Sequence, residues 1–300
     1  MAAAVSAAEA AYIRGGVEAN TSGSCRVKVG NTELVVGVKA SLGAPDAAHP
    51  DWGRIEIAAE VSPLCNLQPR SLSEPLAAAV ASQLSRSGLE QALDLKALGI
   101  VPGRRCWVLY VDVLLLSLDG ALASAASVGL KAALAATSVP RLTLVQGEDP
   151  EDEPDYELDD DPEAAVHLDV EKVPLVVAVA KIGEGVVVDP TAVEEACAAA
   201  VLLAGVLPNG ELTGLTKELT GAVGAGDLLV RGMACIRGAA RMTRNSIMPG
   251  PLLCYAAQYC VFFTAFVQEM FEAASTQGRQ MQAALSSFLG ASGKVVSQIF

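Results

Sequence analysis

The stretch CWVLYVDVLLLSLDGALASAASVGLKAALAA, residues 106–136, decides the fold of this 300-residue chain. It starts with an apolar run, Cys106 to Leu118, whose β-branched and aromatic side chains predict a central buried strand. Asp119 and Gly120 predict a turn. The segment from Ala121 to Thr137 predicts a helix of small residues, which can pack very close to a sheet. A strand followed at once by such a helix indicates a core shared by sheet and helices.

The residues before this stretch predict further strands. Cys25 to Val29 and Glu33 to Ala40 alternate between polar and apolar residues on either side of a Gly30-Asn31-Thr32 turn, which indicates a β-hairpin. Arg54 to Val61 alternates in the same way and predicts a third strand. Together these segments predict a mostly antiparallel sheet.

Helices are predicted on both sides of these strands along the chain. An alanine-rich segment predicts a short helix from Ser6 to Arg14, ended by glycines. The segment from Leu72 to Ser87 predicts a second helix, with Ser73 as its N-cap and Gly88 as its stop. An antiparallel sheet backed by helices is the α+β class.

The charge of the chain is concentrated in one segment. Basic residues number 21 and acidic residues 34, so the net charge is −13, and residues 148–163 alone hold eleven acids with no Lys or Arg. Acidic blocks of this kind are typically solvated loops. We therefore predict an acidic linker at 147–163 between a module at 1–146 and a module at 164–300. The acidic balance excludes a chain coated with basic residues for binding nucleic acid.

The sequence after the acidic block repeats the pattern of the first half. Leu175 to Ile182 predicts a strand. Ala192 to Val206 predicts a helix with Thr191 as its N-cap and with Glu194 and Glu195 in its first turn, where the helix dipole favours acids. Asn209-Gly210 predicts a hairpin turn. The two halves share hairpin strands and an alanine-rich helix, which indicates a duplicated α+β unit.

The last third predicts two helices, Leu228 to Arg244 and Val267 to Leu289, on either side of an apolar insert near 245–266. Residues 247–266 carry no charge and hold five of the thirteen aromatic residues. Three interpretations stay open: a membrane helix, a buried or partner-facing segment, and a locally abnormal insert. Pro249 and Pro251 disfavour the membrane helix, which needs about 20 apolar residues.

Most catalytic and metal-binding patterns are missing from the sequence. Seven cysteines include no CxxC pair, and the two histidines, His49 and His167, stand alone, so the sequence predicts no metal site and no cofactor site. Carboxylates remain as candidates for acid–base chemistry. Asp112 is one, with a hydrogen-bonded strand residue as the bland alternative. Asp189 with Glu194 and Glu195 is another, with helix capping as the alternative.

Three long stretches carry a resemblance to a known family. They are NTSGSCRVKVGNTELVVGVKASLGAP (20–45), the stretch quoted first (106–136), and VPLVVAVAKIGEGVVVDPTAVEEACAAA (173–200). In this order they resemble the RNase PH-like subunits of the RNA exosome and, within that family, the ribosomal RNA-processing protein 42 type. The resemblance implies a two-module RNase PH-like fold. It also implies a ring of six such subunits around a channel for single-stranded RNA, with cap subunits on one face.

The resemblance also bears on catalysis. Active relatives attack the last phosphodiester with inorganic phosphate, and they use a cluster of arginines and an acidic pair six residues apart. That pair falls on Asp189 and Glu195, and Glu195 replaces the family's aspartate. Only Arg70 occurs in the region that should be rich in arginine, so the developing charge lacks stabilisation. The resemblance thus implies a degenerate site in a non-catalytic structural subunit. The open alternative is a phosphorolytic 3'-to-5' exoribonuclease subunit with a residual active site.

The chain departs from the family in two places. The family's first strand and an Asp-Gly-Arg turn are missing before residue 20, which should leave one sheet position unpaired. The apolar insert near 245–266 has no counterpart. Both departures lead to the hypothesis of a gene-model or splice alteration.

Contacts with RNA are predicted at five basic residues, each with a solvated surface charge as the alternative: Arg104, Arg105, Arg26, Lys28 and Lys39. Affinity for the phosphate backbone needs such side chains on the channel side. The resemblance implies ring and cap subunits as partners and no membrane. It implies a location in the nucleus and nucleolus and also in the cytoplasm.

Overall fold

A computed structural model describes residues 11–17, 20–65, 70–145, 155–158, 165–183, 185–218, 272–287 and 289 of the chain. Within these residues the chain forms two main β-sheets with helices packed on them, and one helix contacts both sheets. The predicted helix Leu228 to Arg244 and the apolar stretch at 247–266 lie outside the described residues.

The first sheet contains the predicted β-hairpin, the predicted third strand and the predicted central strand. Its strands are β1 (Ala11–Gly15), β2 (Gly23–Val29), β3 (Thr32–Gly43), β4 (Arg54–Val61), β5 (Gly99–Val101) and β6 (Arg105–Ser117). They lie in the order β1-β2-β3-β6-β4, with β5 beside β6. All pairs are antiparallel except β4 and β6, which run parallel. β6 is central, as predicted.

Only one face of β6 is fully buried along its second half. Leu109, Val111 and Val113 are buried, whereas Tyr110 and Asp112 alternate with them and are exposed. The apolar run therefore overstated the burial of this strand. A strand with one solvated face is the usual arrangement in antiparallel sheets.

Helices cover the inner face of the first sheet. They are α1 (Ser73–Arg86), the single turn α2 (Leu89–Ala92) and α3 (Leu122–Ala135), and short 3-10 turns lie at Arg70–Leu72 and Leu95–Leu98. The prediction of Ser73 as the N-cap of α1 is wrong, because the N-cap is Leu72. The reason is that the 3-10 turn runs directly into the helix, so Ser73 already lies inside it.

The second sheet is smaller, and its two central strands are largely buried. Its strands are β11 (Leu175–Ile182), β12 (Gly185–Val188), β13 (Ala200–Val206) and β14 (Leu212–Glu218), in the order β12-β11-β13-β14. The helix α4 (Ala192–Cys197) precedes β13, and α5 (residues 272–287) packs on the core through Ala274, Met281 and Leu285. Two short ribbons pair β7 (Ser138–Val139) with β10 (Val166–His167) and β8 (Leu142–Val145) with β9 (Asp155–Leu158).

α3 joins the two sheets. Every residue from Leu122 to Leu134 is buried, and the helix packs on β2, β3 and β11. A Cβ atom on Gly129 would lie 2.9 Å from side-chain atoms of Leu34 and Val36, so small residues set this close distance. The predicted close packing of a small-residue helix is confirmed.

Two serines of α3 complete the hydrogen bonding of β11. The backbone N–H of Val176 donates to the Ser127 hydroxyl at 2.9 Å, and that of Ala178 donates to the Ser124 hydroxyl at 3.0 Å. β12 pairs with β11 only from Val179 onward. The serines therefore satisfy buried N–H groups that no strand reaches.

A buried polar hub ties α3 to the second module and to α5. The Lys131 ammonium donates to the backbone oxygens of Glu171 (3.2 Å) and Val173 (2.9 Å) and to the Gln282 side-chain oxygen (2.6 Å). The Gln282 amide donates to the backbone oxygens of Val173 and Val206. Lys131 and Gln282 are each only 2% exposed.

The prediction of a helix from Ser6 to Arg14 is wrong at its C-terminal end. Residues Ala11–Gly15 form the edge strand β1, in which Arg14 lies opposite Arg26 of β2. The expectation of an unpaired sheet position is therefore also wrong, because β1 pairs with β2. Within β1, Ile13 is buried and Arg14 is exposed, so strand pairing outweighs the helix propensity of the preceding alanines.

The prediction of one helix from Ala192 to Val206 is wrong over its second half. α4 ends at Cys197, Ala198 is extended, and β13 follows as a central strand of the second sheet. β13 is buried on both faces, so its apolar run lacks the alternation that marks a strand.

The acidic block is not a loop throughout. Asp155–Leu158 forms β9 and pairs antiparallel with Leu142–Val145. The linker boundaries at 147 and 163 stay a prediction. The predicted helix Val267 to Leu289 is confirmed over residues 272–287.

Candidate functional site

Asp189 lies in a turn of unusual backbone shape at the end of β12. Its φ is 56°, in the left-handed region, and its N–H donates to the backbone oxygen of Ala178 at 2.9 Å. One of its carboxylate oxygens, Oδ1, is buried. Among residues other than glycine, Asp and Asn tolerate this backbone region best. The turn therefore has a conformational reason to contain Asp.

Thr191 and Glu194 cap the helix that follows. The Thr191 hydroxyl accepts the N–H of Glu194 at 3.4 Å, and the Glu194 carboxylate accepts the N–H of Thr191 at 2.8 Å. This reciprocal pair is a capping box, so the predicted N-cap is confirmed. The capping alternative for Glu194 is correct, and this carboxylate serves the helix end.

Glu195 reaches across to the first module. Its Oε1 accepts the N–H of Ala121 at 2.9 Å, and Ala121 is the N-cap of α3 with a φ of 43°. A carboxylate is stabilised there, because the N-terminal end of a helix carries partial positive charge. Asp189 and Glu195 therefore lie on either side of the contact between β12–α4 and the start of α3.

The turn before α3 is fixed from its other side. The Thr32 hydroxyl accepts the N–H of Asp119 at 2.8 Å and donates to the oxygen of Gly120 at 3.0 Å. The Asn31 amide donates to the Asp119 carboxylate at 2.9 Å. Gly120 has a φ of 85°, and a Cβ there would lie 2.5 Å from the carbonyl carbon of Thr191. The two modules therefore touch backbone to backbone.

The crevice at this contact is small, and its lining among the described residues is acidic. Its volume is about 10 Å³, the space of a single water molecule. Two carboxylates line it, those of Asp119 and Asp189, and none of the described lining residues is Lys or Arg. The described lining is therefore unfavourable for an anion.

The other carboxylate candidate lies elsewhere. Asp112 is exposed on the outer face of the first sheet, where it lies between Gly37 of β3 and Ala58 of β4. α3 and the crevice lie on the inner side. The structure does not bring Asp112 together with Asp189.

The five predicted RNA-binding residues fall into separate groups. Arg26 and Lys28 are exposed near the end of β2, and the Arg26 guanidinium donates to Glu33 at 2.7 Å. Arg104 and Arg105 are exposed at the start of β6. Arg26 pairs with Val35 of β3, and Val35 pairs with Leu114 of β6. Leu114 lies nine residues beyond Arg105 on β6, so the two groups are about 30 Å apart along the strand. Lys39 lies between the two groups, opposite Tyr110.

A further basic residue, Arg14, lies near Arg26 and is not among the five predicted residues. Arg14 lies directly opposite Arg26 in the β1–β2 pair and is exposed. The alternation in Tyr12-Ile13-Arg14 was the signal that could have placed it on this face. Arg14, Arg26 and Lys28 form a small basic group at this edge of the sheet, partly balanced by Glu33.

Two general findings concern the described residues as a whole. They contain no group of three or more His, Cys, Asp or Glu side chains placed to hold a metal ion. No helix among them is long and apolar enough to cross a membrane.

Comparison with known proteins identifies the family. The 3' exoribonuclease (RNase PH) family matches with its domain 1 at residues 10–140 and with its domain 2 at residues 172–227. The exosome complex component Rrp42 of Methanopyrus kandleri is 34% identical over 212 residues, which cover 68% of this chain and 74% of that protein. This chain belongs to the RNase PH family. The Rrp42 component of Pyrococcus furiosus is 35% identical over 213 residues, 70% of each chain.

The fold agrees with that of a chain in a solved exosome. The Archaeoglobus fulgidus exosome with RNA bound to the active site contains a chain that matches with a TM-score of 0.56 and 25% identity, over 79% of this chain and 89% of that one. The predicted two-module RNase PH-like fold and the resemblance to the ribosomal RNA-processing protein 42 type are confirmed.

Proposed function

We propose that this chain is a non-catalytic structural subunit of an RNA exosome ring. In that role it supports 3'-to-5' RNA processing and degradation, including rRNA maturation and mRNA decay. The relatives reported above are named exosome components, and the matching structure is an exosome. The observation that carries the non-catalytic part is the hydrogen bond from Ala121 N–H to the Glu195 carboxylate.

That hydrogen bond gives the second acid of the family's pair a structural task. Glu195 caps α3 from the other module, so its Oε1 faces a helix end and not a reacting phosphate. Glu195 is therefore suited to holding the two modules together.

Electrostatics disfavours phosphate at the crevice. A phosphate group carries between about one and two negative charges at neutral pH, and two like unit charges 4 Å apart repel by about 4 kcal/mol at an effective dielectric constant of 20. Asp119 and Asp189 are both at this crevice, and no Lys or Arg lines it among the described residues. Binding inorganic phosphate there would require cations from outside the described lining.

The family resemblance extends the proposal to partners and location. We place other RNase PH-like subunits beside this chain in the ring, cap subunits on one face, and single-stranded RNA in the central channel. We place the assembly in the nucleus and nucleolus and also in the cytoplasm. Affinity purification of the tagged chain from its native cells tests the partners. Ring and cap subunits are expected in near-equal amounts, and recovery of the chain alone would contradict the proposal.

Catalysis is tested by a phosphate-dependent RNA degradation assay on the purified chain and on the ring that contains it. We compare the wild-type chain with the double variant Asp189→Asn/Glu195→Gln, which keeps a side-chain oxygen to accept the Ala121 N–H. The exposed Glu211→Gln is the control. The ring rate is expected to stay within about twofold in all three. Loss of a catalytic group costs about a hundredfold or more, and a drop of that size in the double variant alone would restore the residual-nuclease alternative.

A further inference from the structure

A wide groove opens on the first module, away from the crevice. Its volume is about 990 Å³, and it lies between the loop that joins β3 to β4 and the segment from Glu90 to Lys96. This volume is at the upper end of the range of about 300–1,000 Å³ for ligand sites. It is large enough for several side chains of a bound segment.

The loop side of the groove is built and not merely open. The backbone N–H of His49 donates to the backbone oxygen of Asp46 at 3.1 Å, and the backbone N–H of Trp52 donates to the backbone oxygen of His49 at 3.2 Å. Gly53 N–H donates to the oxygen of Leu95 at 2.7 Å and so ties the loop to the opposite wall. The loop is therefore ordered by its own hydrogen bonds and is joined to the opposite wall at one end of the groove.

Two aromatic rings form a platform in the groove. The His49 and Trp52 rings stack with centroids 4.2 Å apart and an angle of 13° between their planes. The Lys96 ammonium lies 5.7 Å from the centroid of the Trp52 ring. The chain's own lysine therefore shows that this platform accepts a cation on a ring face. His49 is exposed, so its imidazole is accessible to a ligand.

The charge of the groove is negative. Arg54 and Glu56 form an ion pair with each other. Asp46, Glu90 and Asp94 are exposed on the rim, and among the described residues no Lys or Arg lies within ion-pair distance of them. With Lys96 included, the lining carries a net charge of −2.

We propose that this groove binds an arginine-bearing segment of a partner protein. A guanidinium stacks on aromatic faces and forms paired hydrogen bonds to carboxylates, so His49 with Glu90 and Asp94 presents both of its partners in one place. Single-stranded RNA fits less well, because its phosphates would meet three carboxylates. The proposal goes beyond the proposed ring function and does not depend on it.

The test uses the purified full-length chain and a short fluorescent peptide in which arginine alternates with glycine. Fluorescence anisotropy gives its affinity at low and at physiological salt. The groove variant is Glu90→Gln/Asp94→Asn. The control variant is Glu74→Gln/Glu211→Gln, which removes two exposed acids outside the groove and so matches the change in net charge. A labelled oligouridine is the second probe.

The expected result is a loss of about tenfold in peptide affinity for the groove variant and of less than about twofold for the control variant. His49→Ala should weaken the peptide by about threefold through loss of stacking. Equal weakening by both double variants would overturn the proposal, because it would reveal general attraction to a chain of net charge −13. Binding of oligouridine that depends on His49, with no binding of the peptide, would overturn it in favour of RNA. Circular dichroism of each variant verifies that it is folded.

Discussion

Lys131 gives the sharpest prediction, because its burial ties stability to pH. Its side chain is 2% exposed, and burial lowers its pKa from 10.5 to about 8, opposed in part by Glu171 and Asp169. The folded state therefore releases this proton more readily than the unfolded state does. Between these two pKa values the unfolded state binds more protons, so the contribution of Lys131 to the free energy of unfolding rises with pH.

The size of this contribution follows from the two pKa values. For a single group with a pKa of about 8 when folded and 10.5 when unfolded, the free energy of unfolding rises by about 2 kcal/mol from pH 7 to pH 9.5. Cys25 acts in the opposite direction, because burial raises the pKa of its thiol from 9.0 to about 12. Between pH 7 and pH 9.5 the Cys25 thiol lowers the free energy of unfolding by about 1 kcal/mol. Only a variant of Lys131 isolates its own contribution.

The assay is urea unfolding of the purified chain at pH 7 and pH 9.5, followed by circular dichroism. Lys131→Met is compared with the wild type and with Lys39→Met, the same substitution at an exposed lysine. The change in unfolding free energy between the two pH values should be about 2 kcal/mol less favourable for Lys131→Met than for the other two proteins. Parallel pH profiles for all three would refute the reasoning, because they would show that Lys131 titrates alike in both states.

Three further predictions concern other buried contacts. Ser127→Ala should lower the free energy of unfolding by about 1–3 kcal/mol, since it removes the hydroxyl that accepts a buried N–H of β11, whereas the exposed Ser85→Ala should stay within about 0.5 kcal/mol in the same urea assay. Gly120→Ala should cost at least about 1 kcal/mol more than Gly103→Ala, because both have positive φ but only Gly120 has backbone atoms in the place of a Cβ; equal melting temperatures would contradict this. The thiol of Cys25, fully buried and with a pKa raised to about 12, should react with iodoacetamide at pH 8 only after unfolding, and peptide mass spectrometry would reveal earlier labelling.

The sequence predicted elements well where local pattern and tertiary role agree. The hairpin of β2 and β3 alternates because one face is buried and the other is solvated, so period-two patterning sufficed. The helix α3 is predictable because its run of small residues favours both helix formation and close packing on a sheet, and the structure shows both. The prediction of a helix over β13 is wrong for the opposite reason. Both faces of this strand are buried, which removes the alternation, and its alanines favour a helix that the sheet overrides.

The candidate site could be located from the sequence but not interpreted from it. Asp189 and Glu195 were placed on the correct turn and helix start, because the N-cap at Thr191 is a local signal. The contact of Glu195 with Ala121 joins residues 74 positions apart, and no local pattern reports such a pair. The same limit applies to the groove, whose platform at His49 and Trp52 faces a wall that is distant in sequence.

The geometry of the crevice explains why acids can persist there without catalysis. Asp189 occupies a backbone shape that few residues tolerate, and Glu195 supplies the acceptor for a helix end in the other module. Between them, Gly120 lets the two backbones touch. Each of these residues thus has a structural reason to be as it is, which holds whether or not phosphate ever binds. The presence of an acidic pair is therefore weak evidence for activity in this family, whereas cations lining the same crevice would be strong evidence, because they have no such structural task.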